Sequence, residues 1–151
     1  MKKYTLYILI SLLAVVLSSC QNNGDIGYLY GVWGLDSYTV DGQELHDKYI
    51  DNTTFSFQSD IVEVVSQYDD YMSAYMSYGT WEWSSGDTLM FNFMHHDDTG
   101  IYESQYQAPA WIGFTSGELM MMQVNGQSGS RMTLSWQHEG KSYVYRLKKM
   151  D

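Results

Sequence analysis

Cysteine is all but missing from this chain. Of its 151 residues only Cys20 carries a thiol, so no internal disulfide can form, and a lone cysteine in an exported protein calls for another use. Proline is equally scarce, with Pro109 alone. Positive charge is short as well: eight Lys and Arg face eighteen Asp and Glu, a formal charge of −10. Such a surface repels nucleic acid and anionic headgroups, and its ordinary effect is solubility. No apolar run reaches the roughly twenty residues that a membrane helix needs. No stretch beyond the first twenty residues repeats with helical period. No Gly-x-Ser-x-Gly elbow occurs for nucleophilic catalysis, and no His-x-x-x-His or His-x-His pair for a metal. The length suits one domain.

What the chain does have begins at its N-terminus. Lys2-Lys3 precedes an uncharged run from Tyr4 to Leu17, the length of a secretory h-region. The run ends in Leu17-Ser18-Ser19-Cys20. This resembles the lipobox of bacterial lipoproteins, an aliphatic residue and two small ones before the cysteine that is lipidated. The resemblance implies cleavage after Ser19, diacylation of the Cys20 thiol and acylation of its new amine. Each buried methylene contributes about 0.8 kcal/mol, so two or three long chains hold the protein on a membrane. Residues 1–19 are then a lipoprotein signal peptide, 20–27 a polar tether and 28–151 the folded domain. Losing Lys2 and Lys3 leaves eighteen acids against six bases, a charge of −12. Gln21 is not the aspartate that retains some lipoproteins at the inner membrane. The tether holds only Asp25, not the acidic run that marks some surface lipoproteins. The expected location is therefore the cell envelope, lipid-anchored at the outer membrane, with the membrane face left open.

From Tyr28 onward strand signals recur to the end. Aromatic residues make up 16% of the chain, fourteen of them Tyr and five Trp, a composition that favours strands. Tyr28 to Gly42 reads as the first strand, ending in an Asp41-Gly42 turn. A helical turn is expected around Leu45 to Tyr49. Thr53 to Phe57 alternates apolar and polar residues, Ile61 to Val65 is β-branched, and Tyr75 to Trp83 alternates again. Ser84-Ser85-Gly86-Asp87 makes a hairpin into Thr88 to Met94. Ile101 to Tyr106 reads as a short strand, and Pro109 precedes another at Trp111 to Phe114. Glu118 to Val124, Arg131 to Gln137 and Ser142 to Lys148 complete the set. Eight or nine short strands joined by turn chemistry predict an all-β fold, a sandwich or an up-and-down barrel.

Gly31-Val32-Trp33 near the start of the first strand resembles the Gly-x-Trp pattern of lipocalins. In those proteins the tryptophan closes one end of the barrel against a basic residue of the last strand. Gly79-Thr80-Trp81-Glu82-Trp83 followed by Gly86-Asp87-Thr88-Leu89 resembles a hairpin of small bacterial lipocalin-like lipoproteins. The likeness covers nearly all of Tyr28 to Lys149. It implies a single antiparallel up-and-down β-barrel with Trp33 and Arg146 as the closing pair. A barrel this small holds one ligand or fills itself with side chains.

Candidate chemistry is thin. His95-His96-Asp97-Asp98 and His46-Asp47 carry metal-ligating types, but adjacent strand residues point to opposite faces, so the expectation is a solvated loop and no metal. Carboxylate pairs such as Asp69-Asp70 fall in loops. No catalytic residue and no cofactor is assigned. Tyr75, Trp81, Trp83, Phe91, Phe93 and Trp111 form an aromatic set that serves as core or as contacts for an apolar ligand. Met120-Met121-Met122 reads as packing. Asp87-Thr88-Leu89 resembles the acceptor used for O-glycosylation of exported proteins in some Gram-negative groups, which would place the modification on Thr88.

The resulting expectation is a membrane-anchored, non-catalytic lipocalin-like protein that binds a small apolar or amphipathic molecule. The alternative is a filled barrel that docks an envelope protein or glycan. The anchor is checked directly: Cys20→Ala should abolish acyl labelling and block maturation after Ser19. A variant that still matures at Ser19 and stays with membranes would remove the lipobox from the account.

Overall fold

A computed structural model describes residues 27–68, 74–95, 99–100 and 103–150. The expected signal peptide, Cys20 and most of the expected tether lie outside the described residues, as do Asp69, Asp70, His96, Asp97 and Asp98. Nine strands occur among the described residues: β1 (Gly31–Val40), β2 (Gln43–Glu44), β3 (Thr53–Gln58), β4 (Ile61–Gln67), β5 (Ala74–Trp83), β6 (Thr88–Asn92), β7 (Leu119–Ser128), β8 (Arg131–His138) and β9 (Lys141–Lys149). From β3 to β9 each strand pairs antiparallel with the next, and β1 pairs with both β3 and β9. Eight strands thus close a barrel in up-and-down order, and β2 is a short addition to the end of β1.

The residues explain the closure. Inward positions of the barrel strands are mostly apolar: Phe55 and Phe57, Val62 and Val64, Trp81, Leu89 and Phe91, Met120 and Met122, Leu134 and Trp136, Tyr145 and Leu147 are all buried. Alternation fixes register, since a slip of one residue would turn each set to solvent. Two-residue turns set it locally. Asp41-Gly42 and Glu139-Gly140 both take left-handed backbone at each position, the geometry that suits the twist of a tight hairpin. β1 carries a bulge between Leu35 and Ser37. Its extra residue switches the inward set from Trp33 and Leu35 to Tyr38, because one added residue reverses the alternation.

One end of the barrel is sealed. A 3-10 turn, Gly27–Leu29, folds over it and buries Leu29 completely. The Trp33 indole lies beneath, fully buried, and its Nε1 donates to the Leu29 carbonyl at 2.9 Å. The basic partner is not Arg146. Lys149 stands directly opposite Trp33 in the β1–β9 register. Its Nζ lies 5.4 Å from the indole centre and donates to the Tyr28 carbonyl at 3.1 Å. Arg146 donates instead to Ser37 Oγ at 3.1 Å on the exposed wall. The reason is parity: Tyr145 and Leu147 point inward and Arg146 between them points out.

The other end is the mouth. The strand readings of Ile101 to Tyr106 and of Trp111 to Phe114 both need correction. The described part of the first is a 3-10 turn, Glu103–Tyr106, and the second opens with another, Ala110–Ile112. Gly113 follows with φ 76° and turns Phe114 down the barrel axis. The Phe114 ring centre lies 5.3–6.0 Å from those of Phe55, Phe91, Phe93 and Tyr145, side chains reaching in from separate walls. The Tyr145 hydroxyl donates to the Ile112 carbonyl at 2.9 Å, which satisfies a polar pair inside the apolar interior. Any Cβ at Gly113 would come within 2.6 Å of the Tyr38 hydroxyl. Segment 108–114 is therefore a plug that fills the lumen.

Trp33→Ala should cost about 3–5 kcal/mol, as for deletion of a fully buried large aromatic. A double-mutant cycle should find about 0.5–1 kcal/mol of coupling between Trp33 and Lys149, in the range of partly exposed cation–π pairs. Coupling between Trp33 and Arg146 should stay within about 0.3–0.5 kcal/mol of zero, the scatter of independent sites. Urea unfolding of residues 21–151 measures both.

Candidate functional site at the barrel mouth

The aromatic residues singled out from the sequence divide between interior and rim. Phe91, Phe93 and Trp81 are buried in the core. Phe93 lies so close to β5 that a Cβ at Gly79 would meet its ring at 2.8 Å, which explains a glycine within that strand. Trp83 is half-buried at the sealed end, 6.1 Å from Tyr28. Tyr75 and Trp111 remain at the mouth, with ring centres 5.8 Å apart.

Tyr49 and Tyr68, which the sequence does not mark as site residues, complete this rim. Tyr75 lies 5.6 Å from Tyr49 and 5.0 Å from Tyr68, and Tyr49 and Tyr68 are 5.2 Å apart. Four rings thus form a continuous surface, of which Tyr75 is 49% exposed. The rim is braced from below. Trp111 Nε1 donates to Thr53 Oγ1 at 3.0 Å, and the hydroxyls of Thr53 and Ser66 each donate to the Tyr49 carbonyl at 2.7 Å. In place of the helical turn expected around Leu45 to Tyr49, a hydrogen-bonded turn lies at residues 47–51. Asp47 accepts from the backbone N–H groups of Tyr49 and Ile50 at 2.7 and 2.8 Å, and Asp51 N–H bonds back to the Asp47 carbonyl. Asp47 thereby caps the turn and aims Tyr49 at the rim. Lys48 extends across the result, its Nζ 4.8 Å from the Tyr49 ring centre and 5.3 Å from that of Tyr68.

Charge at this end is negative. Strand directions bring Asp41, Glu44, Asp47, Asp51, Glu118 and Glu139 to the mouth among the described residues, against Lys48 and Lys141. His46 sits among them, 3.1 Å from Asp51 and 3.8 Å from Glu44. The Asp51 hydrogen bond, helped by Glu44, holds its imidazolium above the ordinary pKa of 6.5. No group of three or more metal-ligating side chains occurs among the described residues, and His95 is exposed on the outer wall.

The interior offers little reactive chemistry. The buried polar side chains among the described residues are Thr53, Ser56, Ser66, Ser77 and Thr88, with no buried carboxylate, histidine or lysine. Burial pushes the Tyr38 phenol up to about 12 and raises Tyr145 as well, so both stay neutral at physiological pH. Thr88 is buried and its hydroxyl accepts from Gln123 Nε2 at 2.7 Å. On the outer wall a groove of about 470 Å³ is lined by Ile61, Tyr78, Gly79, Thr80, His95, Gln105 and Tyr106. A slot of about 590 Å³ opens where β1 diverges from β3, between Leu35 and Thr53 and below Tyr68.

A closed eight-stranded up-and-down barrel with a 3-10 lid and a buried Gly-x-Trp tryptophan has the lipocalin-like fold. Among solved structures three chains match, and one is a lipocalin-like protein from Bacteroides uniformis ATCC 8492. The similarity covers 82% of this chain and 100% of that one, at a TM-score of 0.56 and 18% sequence identity. No family model and no curated protein matches the chain.

The raised His46 pKa has a definite sign. Because the folded state favours the imidazolium, the stability it adds is fully present below pH 6.5 and is lost as pH climbs through the raised midpoint. An NMR titration should give His46 a midpoint above 6.5, and Asp51→Asn should return it toward that value. A midpoint unchanged by Asp51→Asn would break the assignment of Asp51 as the main cause.

Proposed function

We propose that this chain is a lipid-anchored, non-catalytic binding protein of the bacterial cell envelope. It recognises an amphipathic small molecule on the aromatic rim of its barrel rather than inside the lumen. Phe114 carries this reading. A hollow barrel would take an apolar ligand along its axis, but here that axis holds a ring packed on all sides by the protein's own aromatics. The exposed Tyr75 ring and its neighbours offer an apolar face with polar edges at a place where strand ends leave it uncovered. The non-catalytic reading is supported by an interior whose described polar side chains are neutral hydroxyls and phenols. The anchor rests on Lys2-Lys3, the apolar run and Leu17-Ser18-Ser19-Cys20.

Filling and opening the lumen test the proposal in residues 21–151. Wild-type protein should take up no benzene-sized apolar probe. Phe114→Ala should cost about 3–5 kcal/mol and gain saturable binding of that probe, because an apolar cavity left by a large ring stays dry. Saturable binding of a long-chain fatty acid by the wild type, with loss of NOE contacts from Phe114 to Phe55 and Phe91, would return the ligand to the lumen.

A further inference from the structure

Lys48 is exposed, yet its ammonium rests on two tyrosine rings at 4.8 and 5.3 Å. The ring faces carry negative charge density and attract a cation. The third ring, Tyr75, touches both others and is half open to solvent. The carboxylates around this end outnumber its lysines, which adds a field that concentrates cations at the mouth. The site therefore already holds a cation, supplied by the chain itself.

We propose that the rings of Tyr49, Tyr68 and Tyr75 form a binding site for an alkylated ammonium group, in the place that Lys48 now occupies. The proposal rests on the rim being the recognition surface and names the polar part of its ligand. A lysine ammonium is compact and strongly hydrated and sits on a flexible stem, so its hold on the rings is weak and reversible. A quaternary or trialkyl ammonium sheds less water and spreads its charge over methyl groups that fit aromatic faces, the chemistry used in aromatic cages. Lys48 then acts as a tethered competitor. Its displacement returns a hydrated ammonium to solvent and leaves the rings to the ligand.

The test compares choline with 3,3-dimethylbutan-1-ol, its neutral carbon isostere. The full chain in nonionic detergent micelles is titrated at matched free ligand concentrations, with amide and aromatic chemical shifts as readout. Choline should shift the signals of Tyr49, Tyr68 and Tyr75 saturably, and the isostere should bind about tenfold more weakly, the scale of a cation–π preference. Lys48→Met keeps the stem and removes the charge. It should tighten choline binding about threefold, as expected when a self-ligand that occupies most of the site is removed. Tyr75→Ala should weaken binding at least about fivefold, with an unchanged melting temperature showing that the barrel is intact. Equal binding of the isostere at the rim, or weaker choline binding by Lys48→Met, would overturn the ammonium site and leave the rim as recognition surface. Shifts that map away from the mouth, or choline binding indifferent to Tyr75→Ala, would overturn both.

Discussion

The pairing of β1 with β9 is the constraint on which everything else hangs. It runs from Trp33↔Lys149 to Val40↔Tyr143 and removes the two edges that an open sheet would expose. It also decides what Trp33 meets. Register places Lys149 across from the indole, and alternation then sends Leu147 and Tyr145 inward behind it. Tyr145 in turn stacks on Tyr38 at 5.1 Å and holds the Ile112 carbonyl. The seal at one end and the plug at the other are thus both fixed by the same ladder. Its partners are far apart in sequence, so pairing them carries a large loop-closure entropy cost.

The plug changes what a lipocalin-like barrel means here. Its interior is occupied by a segment that enters from the mouth and is held by three separate devices: the Tyr145 bond, the Trp111–Thr53 bond, and Ala108 N–H donating to Ser116 Oγ at 2.7 Å. Because Trp111 belongs both to the plug and to the rim, filling the lumen and building the outer surface are one act. Four rings stand together at the mouth because the plug supplies one of them and β5, the end of β4 and the Asp47-capped turn supply the others.

Much of this architecture was legible in the sequence, and the failures have physical causes. Thr53 to Phe57 and Tyr75 to Trp83 alternate cleanly and form β3 and β5. Ser84 to Asp87 and Glu139-Gly140 turned as their residues dictate. Trp33 is recognisable from Gly31-Val32-Trp33, but its basic partner follows from parity: the inward parity of Tyr145 and Leu147 points to Lys149, and Arg146 has the wrong one. Trp111-Ile112-Gly113-Phe114 reads as a strand because a short apolar run has no period to separate a strand from a buried irregular segment. Gly113 was the signal available, since a glycine within such a run suggests a change of direction. At the rim, Tyr75 and Trp111 were visible as aromatics near strand ends. Tyr49, Tyr68 and Lys48 were not, because they lie outside alternating stretches and only the closed barrel brings residues 48–49, 68, 75 and 111 side by side.

The entry of the chain has a mechanical consequence. Residue 27 leads straight into the 3-10 turn, whose Leu29 carbonyl is bonded to the Trp33 indole, and β1 runs from there toward the mouth. Tension between the N-terminal side of the barrel and something gripped at the rim would pull β1 along its own length. The bonds from β1 to β3 and β9 lie across that direction, so they share the load in shear rather than opening one by one like a zipper. The strand that closes the barrel would then also be the one through which such tension enters, flanked by a ladder on either side.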